Sequence, residues 1–333
     1  MWTLLHSRLH ITLRQRNLLP KKECILIAVS GGQDSLCLLK LLLDLQSKWT
    51  WKIAIAHCDH GWKHDTGIAD FVQQLSEKWR IPFYLKTTSQ LKETEAAARN
   101  WRYQALTEIA QENNFSIIVT GHTQSDRAET LLYNLVRGAG NDGLSALTWQ
   151  RPLTDNIILV RPLLTINRSE IWEFCQKCDL PIWEDLANEN LNYARNRIRK
   201  ELIPYFKKNF NPQIETTLAR TAEIVKEETE YLESCAEINL EKALNRDGTQ
   251  LNRLVLQSVP LALQRRVMRR FFLKISLKNP NFEQIEALTT LINAPRRSRI
   301  SSLPGNLIAE VQDNWIIFTK QETVQNSFAQ DTL

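Results

Sequence analysis

The chain of 333 residues is longer than one hydrophobic core ordinarily serves, so its length predicts two domains. With 43% hydrophobic and 24% charged residues, and no apolar run of about 18 residues, the composition is that of a globular protein and excludes a helix through a membrane. A net charge of +5 suits a polyanionic partner without requiring one.

The first 22 residues carry Arg8, Arg14, Arg16, Lys21 and Lys22 and no acid, a pattern shared with organelle transit peptides. Leu4, Leu5, Leu9, Ile11 and Leu13 fit an amphipathic first helix better, and that is the reading adopted. Residues 24–30, Cys-Ile-Leu-Ile-Ala-Val-Ser, predict a strand buried on both faces. Further strands are expected at 51–57, 83–85 and 117–120, separated by helices at 35–43, 68–79, 93–113 and 127–137. Strands alternating with helices predict an α/β domain on an open parallel sheet, whose ligands bind beyond the carboxyl ends of the strands. Cys24, Cys37, Cys58, Cys175, Cys178 and Cys235 lie scattered in apolar surroundings, which predicts a reducing compartment and a cytoplasmic protein.

Past residue 205 the composition turns charged and helix-forming, with helices expected at 211–243, 260–275 and 282–292 and breaks at Pro204 and Asn211-Pro212. Residues 300–320 hold Pro304-Gly305 between apolar runs and predict a small hairpin. The expected domains are 1–205, a smaller helical domain at 206–299, and a hairpin and tail at 300–333.

Ser30-Gly31-Gly32-Gln33-Asp34-Ser35 lies between the first strand and a helix. Two glycines let backbone N–H groups approach an anion, the helix start adds its dipole, and Ser30 and Ser35 offer hydroxyls. The spacing is neither G-x-x-x-x-G-K-[ST] nor G-x-G-x-x-G, so the common nucleotide folds of those types are disfavoured. A carboxylate beside polyphosphate calls for a cation, which makes Asp34 a candidate Mg²⁺ ligand. The S-G-G-x-D-S loop resembles that of the N-type ATP pyrophosphatases of the PP-loop superfamily, which split ATP to AMP and pyrophosphate. The resemblance implies an adenine nucleotide alpha hydrolase-like sheet and ATP bound by Ser30, Gly31, Gly32, Gln33, Asp34 and Ser35.

Four further segments are similar to the tRNA(Ile)-lysidine synthase family. They are residues 55–62, containing His57 and His60; residues 96–103, with Arg99 and Arg102; residues 121–143; and the run from Arg161-Pro162-Leu163-Leu164 through Glu184-Asp185-Leu186-Ala187-Asn188 to Arg199. Gly121-His122-Thr123-Gln124-Ser125-Asp126-Arg127-Ala128-Glu129-Thr130 resembles the family's G-H-x-x-D-D-Q-A-E-T, with Ser125 and Arg127 departing from it. With a helix starting near Asp126, Asp126 and Glu129 share one face and suit an ammonium group or a metal, while Asp126 alone would also serve as an N-cap. The resemblance implies that ATP adenylates the C2 oxygen of the wobble cytidine in the CAU anticodon of tRNA(Ile), after which the side-chain amine of free L-lysine displaces AMP. It assigns His57 and His60 to the nucleotide, His122 to the neighbourhood of the amine, and Asp126 and Glu129 to lysine or Mg²⁺. Arg195 is the candidate for a catalytic role.

Arg199, with Arg265, Arg266, Arg269 and Arg270 at helical spacing, would contact tRNA phosphates, a solvated basic face being the plain alternative. The expected partners are tRNA(Ile), free L-lysine and ATP, with no membrane and with a homodimer left open. Cys175 and Cys178 form the sole C-x-x-C and predict packing over a metal site, which weighs against cytidine thiolation. Intact Asp34 and the paired acids weigh against an RNA-binding protein without catalysis.

Overall fold

In a computed structural model, which describes residues 2–62, 65–89, 91–183, 190–276 and 278–320, the apolar runs of the first half become a six-stranded sheet. The strands are β1 (Cys24–Ala28), β2 (Lys52–Asp59), β3 (Phe83–Thr87), β4 (Ile117–Val119), β5 (Gln150–Thr154) and β6 (Ile157–Val160). Their order is β3-β2-β1-β4-β6-β5, parallel throughout except that β5 runs antiparallel to β6 at the edge. The register sets Ile25 beside both Ile53 and Ile117. Sequence patterning missed β5 and β6. Both are short, and β6 pairs with β4 only through tertiary contact.

Successive side chains of a strand point to opposite faces, and the core divides accordingly. Ile25, Ile27, Ile55 and Val119 pack among helices α1 (Leu4–Gln15), α2 (Gln33–Trp49) and α3 (Ile68–Trp79). Leu26, Ala54, Ala56, Ile118 and Leu159 pack on the other face against Leu106, Ile109 and Ala110 of α4 (Glu95–Glu112). Helices α5 (Gln124–Val136), α6 (Asn141–Leu144) and α7 (Arg168–Lys177) follow, and Phe174 of α7 joins the first cluster. Leu5, Leu9 and Leu13 of α1 are buried there as well, whereas Leu4 and Ile11 point outward.

The chain continues through α8 (Ala194–Arg197), a π-helical turn (Ile198–Leu202), α9 (Ile203–Asn209) and the long α10 (Ile214–Ala243). Contacts divide the chain within α10, into Met1–Lys226 and Glu227–Leu333. The expected boundary at 205 thus lies upstream of the structural one. Composition changes where the helices begin, but Ile214 and Leu218 still pack with Leu132, Ile198 and Ile203 of the first unit.

The second unit holds β7 (Gln250–Asn252), α11 (Arg253–Gln257), α12 (Leu261–Ile275), α13 (Phe282–Thr290), β8 (Arg299–Leu303), β9 (Leu307–Gln312) and β10 (Trp315–Lys320). Pro304-Gly305 turns β8 into β9 as expected, but the hairpin belongs to a four-stranded antiparallel sheet ordered β7-β10-β9-β8. Phe271 and Phe272 of α12 pack on Phe318 of β10, so helices and sheet share one core and the unit is mixed where a helical domain was expected. Among the described residues, no helix is long and apolar enough to cross a membrane.

Candidate active site

The phosphate loop leaves β1 at Ala28 and turns at Gly31, whose φ of +85° is a conformation that L side chains rarely adopt. Gly32 is the N-cap of α2 and supplies no side-chain cap, so the first-turn N–H groups of a 17-residue helix face outward for an anion. Ser35 braces the loop. Its Oγ accepts from Ser30 N at 3.2 Å and from Ser30 Oγ at 3.3 Å and donates to Gly32 O at 2.9 Å, and Ser30 is the exposed one of the two hydroxyls. A Cβ on Gly121 would stand 2.8 Å from Asp34 O, so glycine there lets the β4–α5 turn press against the phosphate loop. Two motifs far apart in sequence are joined by that contact.

Helix α5 begins at Gln124, two residues before the start inferred from sequence. Thr123 is the N-cap, and Asp126 closes a capping box by accepting from Thr123 N at 2.7 Å and Thr123 Oγ1 at 2.8 Å. Asp126 and Glu129 do share a face, and a cation already lies on it. Arg168, the first residue of α7, bonds Asp126 and Glu129 and reaches Asp34 Oδ2 at 3.3 Å. Arg199 adds a fork onto Glu129, with Nε at 2.9 Å and an Nη at 3.1 Å. Burial opposes ionisation of Asp126, but the Arg168 charge prevails and holds it down to about 2. Asp34 moves the other way. Burial raises it, and Arg168 offsets that rise only in part.

Sequence reading did not single out Arg168. A cation at a helix N-terminus opposes the dipole, and Asn167 with Glu170 forms a capping box that fixes where α7 starts. That mismatch was the available signal.

His122 lies in the same turn, with Nδ1 2.8 Å from Thr120 Oγ1. Burial, reinforced by the charge of Arg161, lowers it to about 3, so the ring is neutral and weakly basic. His57 and His60 separate in role. The buried His57 donates from Nδ1 to Val29 O at 2.7 Å and ties β2 to the residue after β1. His60 stacks on Trp62 at 4.9 Å and tilts against Trp101 at 5.2 Å, an aromatic ledge able to take the flat face of a purine.

Arg195 pairs with Glu95 at 2.9 Å and lies over the Tyr133 ring, which directs it to the start of α4. The departure at Arg127 also has a structural account. The side chain is buried, donates to Leu147 O at 2.9 Å and pairs with Glu223 at 3.1 Å, while Trp149 Nε1 donates to the same carboxylate at 3.2 Å. Ser125 is buried at 2% exposure, where an aspartate would bring a charge out of water. The segment Glu184-Asp185-Leu186-Ala187-Asn188 lies outside the described residues.

In the second unit, Arg265 pairs with Glu286, Arg266 with Glu233, and Arg270 with Glu233 and Glu237. The basic stripe read from α12 is therefore largely matched by acids of α10 and α13, and Arg269 also has an interaction partner. These heads are less open to phosphate than their spacing suggested.

Among the described residues, no group of three or more His, Cys, Asp or Glu side chains is arranged to hold a metal ion alone. Magnesium commonly takes one or two carboxylates and completes its shell with water and substrate phosphates. Asp34, in the loop and with Oδ1 accepting from the Gln33 amide at 3.3 Å as its one hydrogen bond among the described residues, fits that pattern. Asp126 fits less well, since Thr123 and Arg168 engage both of its oxygens.

Residues 5–206 match the PP-loop domain family and residues 251–314 the TilS substrate binding domain. The chain is 55% identical to a tRNA(Ile)-lysidine synthase of Nostoc sp. (strain PCC 7120), covering 98% of this chain and 100% of that protein. It is 52% identical to a tRNA(Ile)-lysidine synthase of Synechocystis sp. (strain PCC 6803), covering 96% and 99%. Among solved structures, a U34-tRNA thiolase from Methanococcus maripaludis matches 66% of this chain and 77% of its own with a TM-score of 0.58 at 16% identity, a likeness of fold. With a phosphate loop at the carboxyl edge of a parallel sheet, and relatives aligned over almost its whole length, the chain belongs to the tRNA(Ile)-lysidine synthase family.

Proposed function

We propose that the enzyme ligates free L-lysine to C2 of the wobble cytidine in the CAU anticodon of tRNA(Ile), with ATP converted to AMP and pyrophosphate. The observation that carries this reading is the contact of Gly121 with Asp34, which sets an uncapped phosphate-binding helix and an acid pair at one edge of the sheet.

The triphosphate lies on the N–H groups that open α2, with Ser30 as hydroxyl donor and the His60 ledge under the adenine. Asp34 would hold Mg²⁺, which supplies charge neutralisation to the phosphates when bound. Arg168, steered by three carboxylates, adds a guanidinium beside the same phosphates. Attack of the cytidine O2 on the α-phosphorus releases pyrophosphate and leaves AMP on the base as a leaving group. Asp126 and Glu129 share their remaining lone pairs with an ammonium of lysine. The reacting amine, neutral when it attacks, forms the bond to C2 as the C2–O bond breaks to release AMP, and the amine's surplus proton passes to water. His122 is too weakly basic to hold the amine's proton. It accepts a hydrogen bond and orients the nucleophile.

A cytoplasmic location and assembly as a homodimer complete the reading, and sedimentation analysis tests the latter. The decisive assay incubates the protein with ATP and labelled lysine together with tRNA(Ile) or tRNA(Met). Label is expected in tRNA(Ile) alone, with one AMP formed per lysine. ATP consumption that leaves the RNA unlabelled overturns the proposal.

A further inference from the structure

Acids and bases are unevenly distributed around His122. On the α5 side, Asp34, Asp126 and Glu129 are neutralised by Arg168 and Arg199. Toward α4, four arginines gather that have no carboxylate partner among the described residues. Arg151 lies over the Tyr103 ring at 4.6 Å and Arg99 over the same ring at 5.8 Å. Arg161, 1% exposed, donates to Thr148 O at 2.8 Å and interacts with the Tyr103 hydroxyl, while its buried Nε has no hydrogen-bond partner. Among the described residues, Arg102 contacts the imidazole of His60, at 3.4 Å, and its backbone carbonyl accepts from the Cys58 thiol. Among the described residues, none of these four arginines forms an ion pair with a carboxylate, whereas those of α12 do.

A buried cation without a counter-charge is costly, and a donor left unpaired adds to the cost. An anion arriving at the accessible Arg99, Arg102 and Arg151 would offset the uncompensated charge. The charges of Arg161, Arg99 and Arg151 already hold the Tyr103 hydroxyl below its usual value against the opposing effect of burial, a measure of the positive potential there.

We propose that Arg99, Arg102, Arg151 and Arg161, gathered around Tyr103 and His122, form a second anion site that takes a backbone phosphodiester of the RNA strand carrying the target cytidine. The proposal rests on the function proposed above and deepens it. ATP phosphates are the other source of such an anion, and position favours RNA. The phosphate loop opens α2, which packs on one face of the sheet, whereas Arg99 and Arg102 belong to α4 on the other. Stacked guanidinium groups and an aromatic hydroxyl are also the usual means of holding a splayed single strand.

The test uses the full chain with Arg99→Gln, Arg151→Gln and the double variant, both positions being part-exposed. Affinity for a fluorescent tRNA(Ile) anticodon stem-loop is measured across a salt series, and ATP affinity is measured separately without RNA. Each single change is expected to weaken RNA binding about three- to tenfold and to reduce the log–log salt slope by about 0.7 to 0.9, with ATP affinity unchanged. A stem-loop with methylphosphonates flanking the cytidine is expected to bind wild type and double variant alike. An unchanged salt slope in the double variant overturns the site, and a parallel loss of ATP affinity reassigns it to the nucleotide and overturns it equally. If wild type binds the stem-loop with the expected salt slope yet incorporates no lysine, the functional reading fails while the anion site stands.

Discussion

Near the acid pair, His122 and Arg168 are the two side chains whose surroundings make the proposed roles testable. The folded value of His122, about 3, lies below its ordinary 6.5, so on acidification the unfolded chain takes the proton first. The stability this provides is complete above pH 6.5 and is lost as pH falls toward 3, with a slope of up to about 1.4 kcal/mol per pH unit. Denaturation curves of His122→Gln should flatten over that window, and an identical pH dependence in both proteins would contradict the neutral buried ring. In single-turnover experiments His122→Ala should slow lysine transfer more than adenylation, and equal slowing of both steps would count against its role beside the amine. Arg168→Gln leaves Asp34, Asp126 and Glu129 together without their shared cation. Because the cluster is partly open, the expected loss is about 2–3 kcal/mol, read as a lower melting temperature, with pyrophosphate release slowed at least about tenfold. Unchanged melting and near-normal turnover would exclude the role given to Arg168.

At the scale of elements, helix starts organise the site. Capping boxes at Thr123 and Asn167 fix the first turns of α5 and α7, and those turns deliver Asp126 and Arg168 to the same point. A second junction holds the beginning of α10. Glu223 gathers Arg16, Arg127 and the Trp149 indole, so the family's glutamine position, filled here by arginine, serves to anchor that helix. Glu223→Ala strands a buried guanidinium and should cost about 3 kcal/mol, while adding Arg127→Gln to that variant should recover part of the loss. Additive losses measured by chemical denaturation would show that the two side chains do not communicate.

Over the whole molecule, charge is partitioned. In the second unit Arg265, Arg266 and Arg270 of α12 are paired with acids, whereas in the first Arg99 and Arg151 lie over the Tyr103 ring with no carboxylate partner among the described residues. The cysteines take no part in that arrangement. All six are free; Cys175 is buried beneath the phosphate loop with its thiol on Gln33 O at 3.6 Å, and Cys178 ends α7 as its C-cap. Cys178→Ser should therefore leave lysine incorporation within about twofold of wild type, and purified protein should hold no stoichiometric iron. Iron at one equivalent, lost on that substitution, would revive sulfur chemistry.

Local pattern in the sequence determined the alternating strands and helices, the S-G-G-x-D-S loop and the acid pair three residues apart, because each is set by a periodicity or a turn readable within about ten residues. Tertiary structure decided the rest. Arg168 lies 134 residues from Asp34, and only the closure of the sheet brings α7 to α5. The same holds for β5 and β6, for the single core shared by the α12 helix and the terminal strands, and for the conversion of a basic stripe into ion pairs. Those outcomes depend on which distant element supplies the partner, and contacts over such separations leave no periodic mark on the chain.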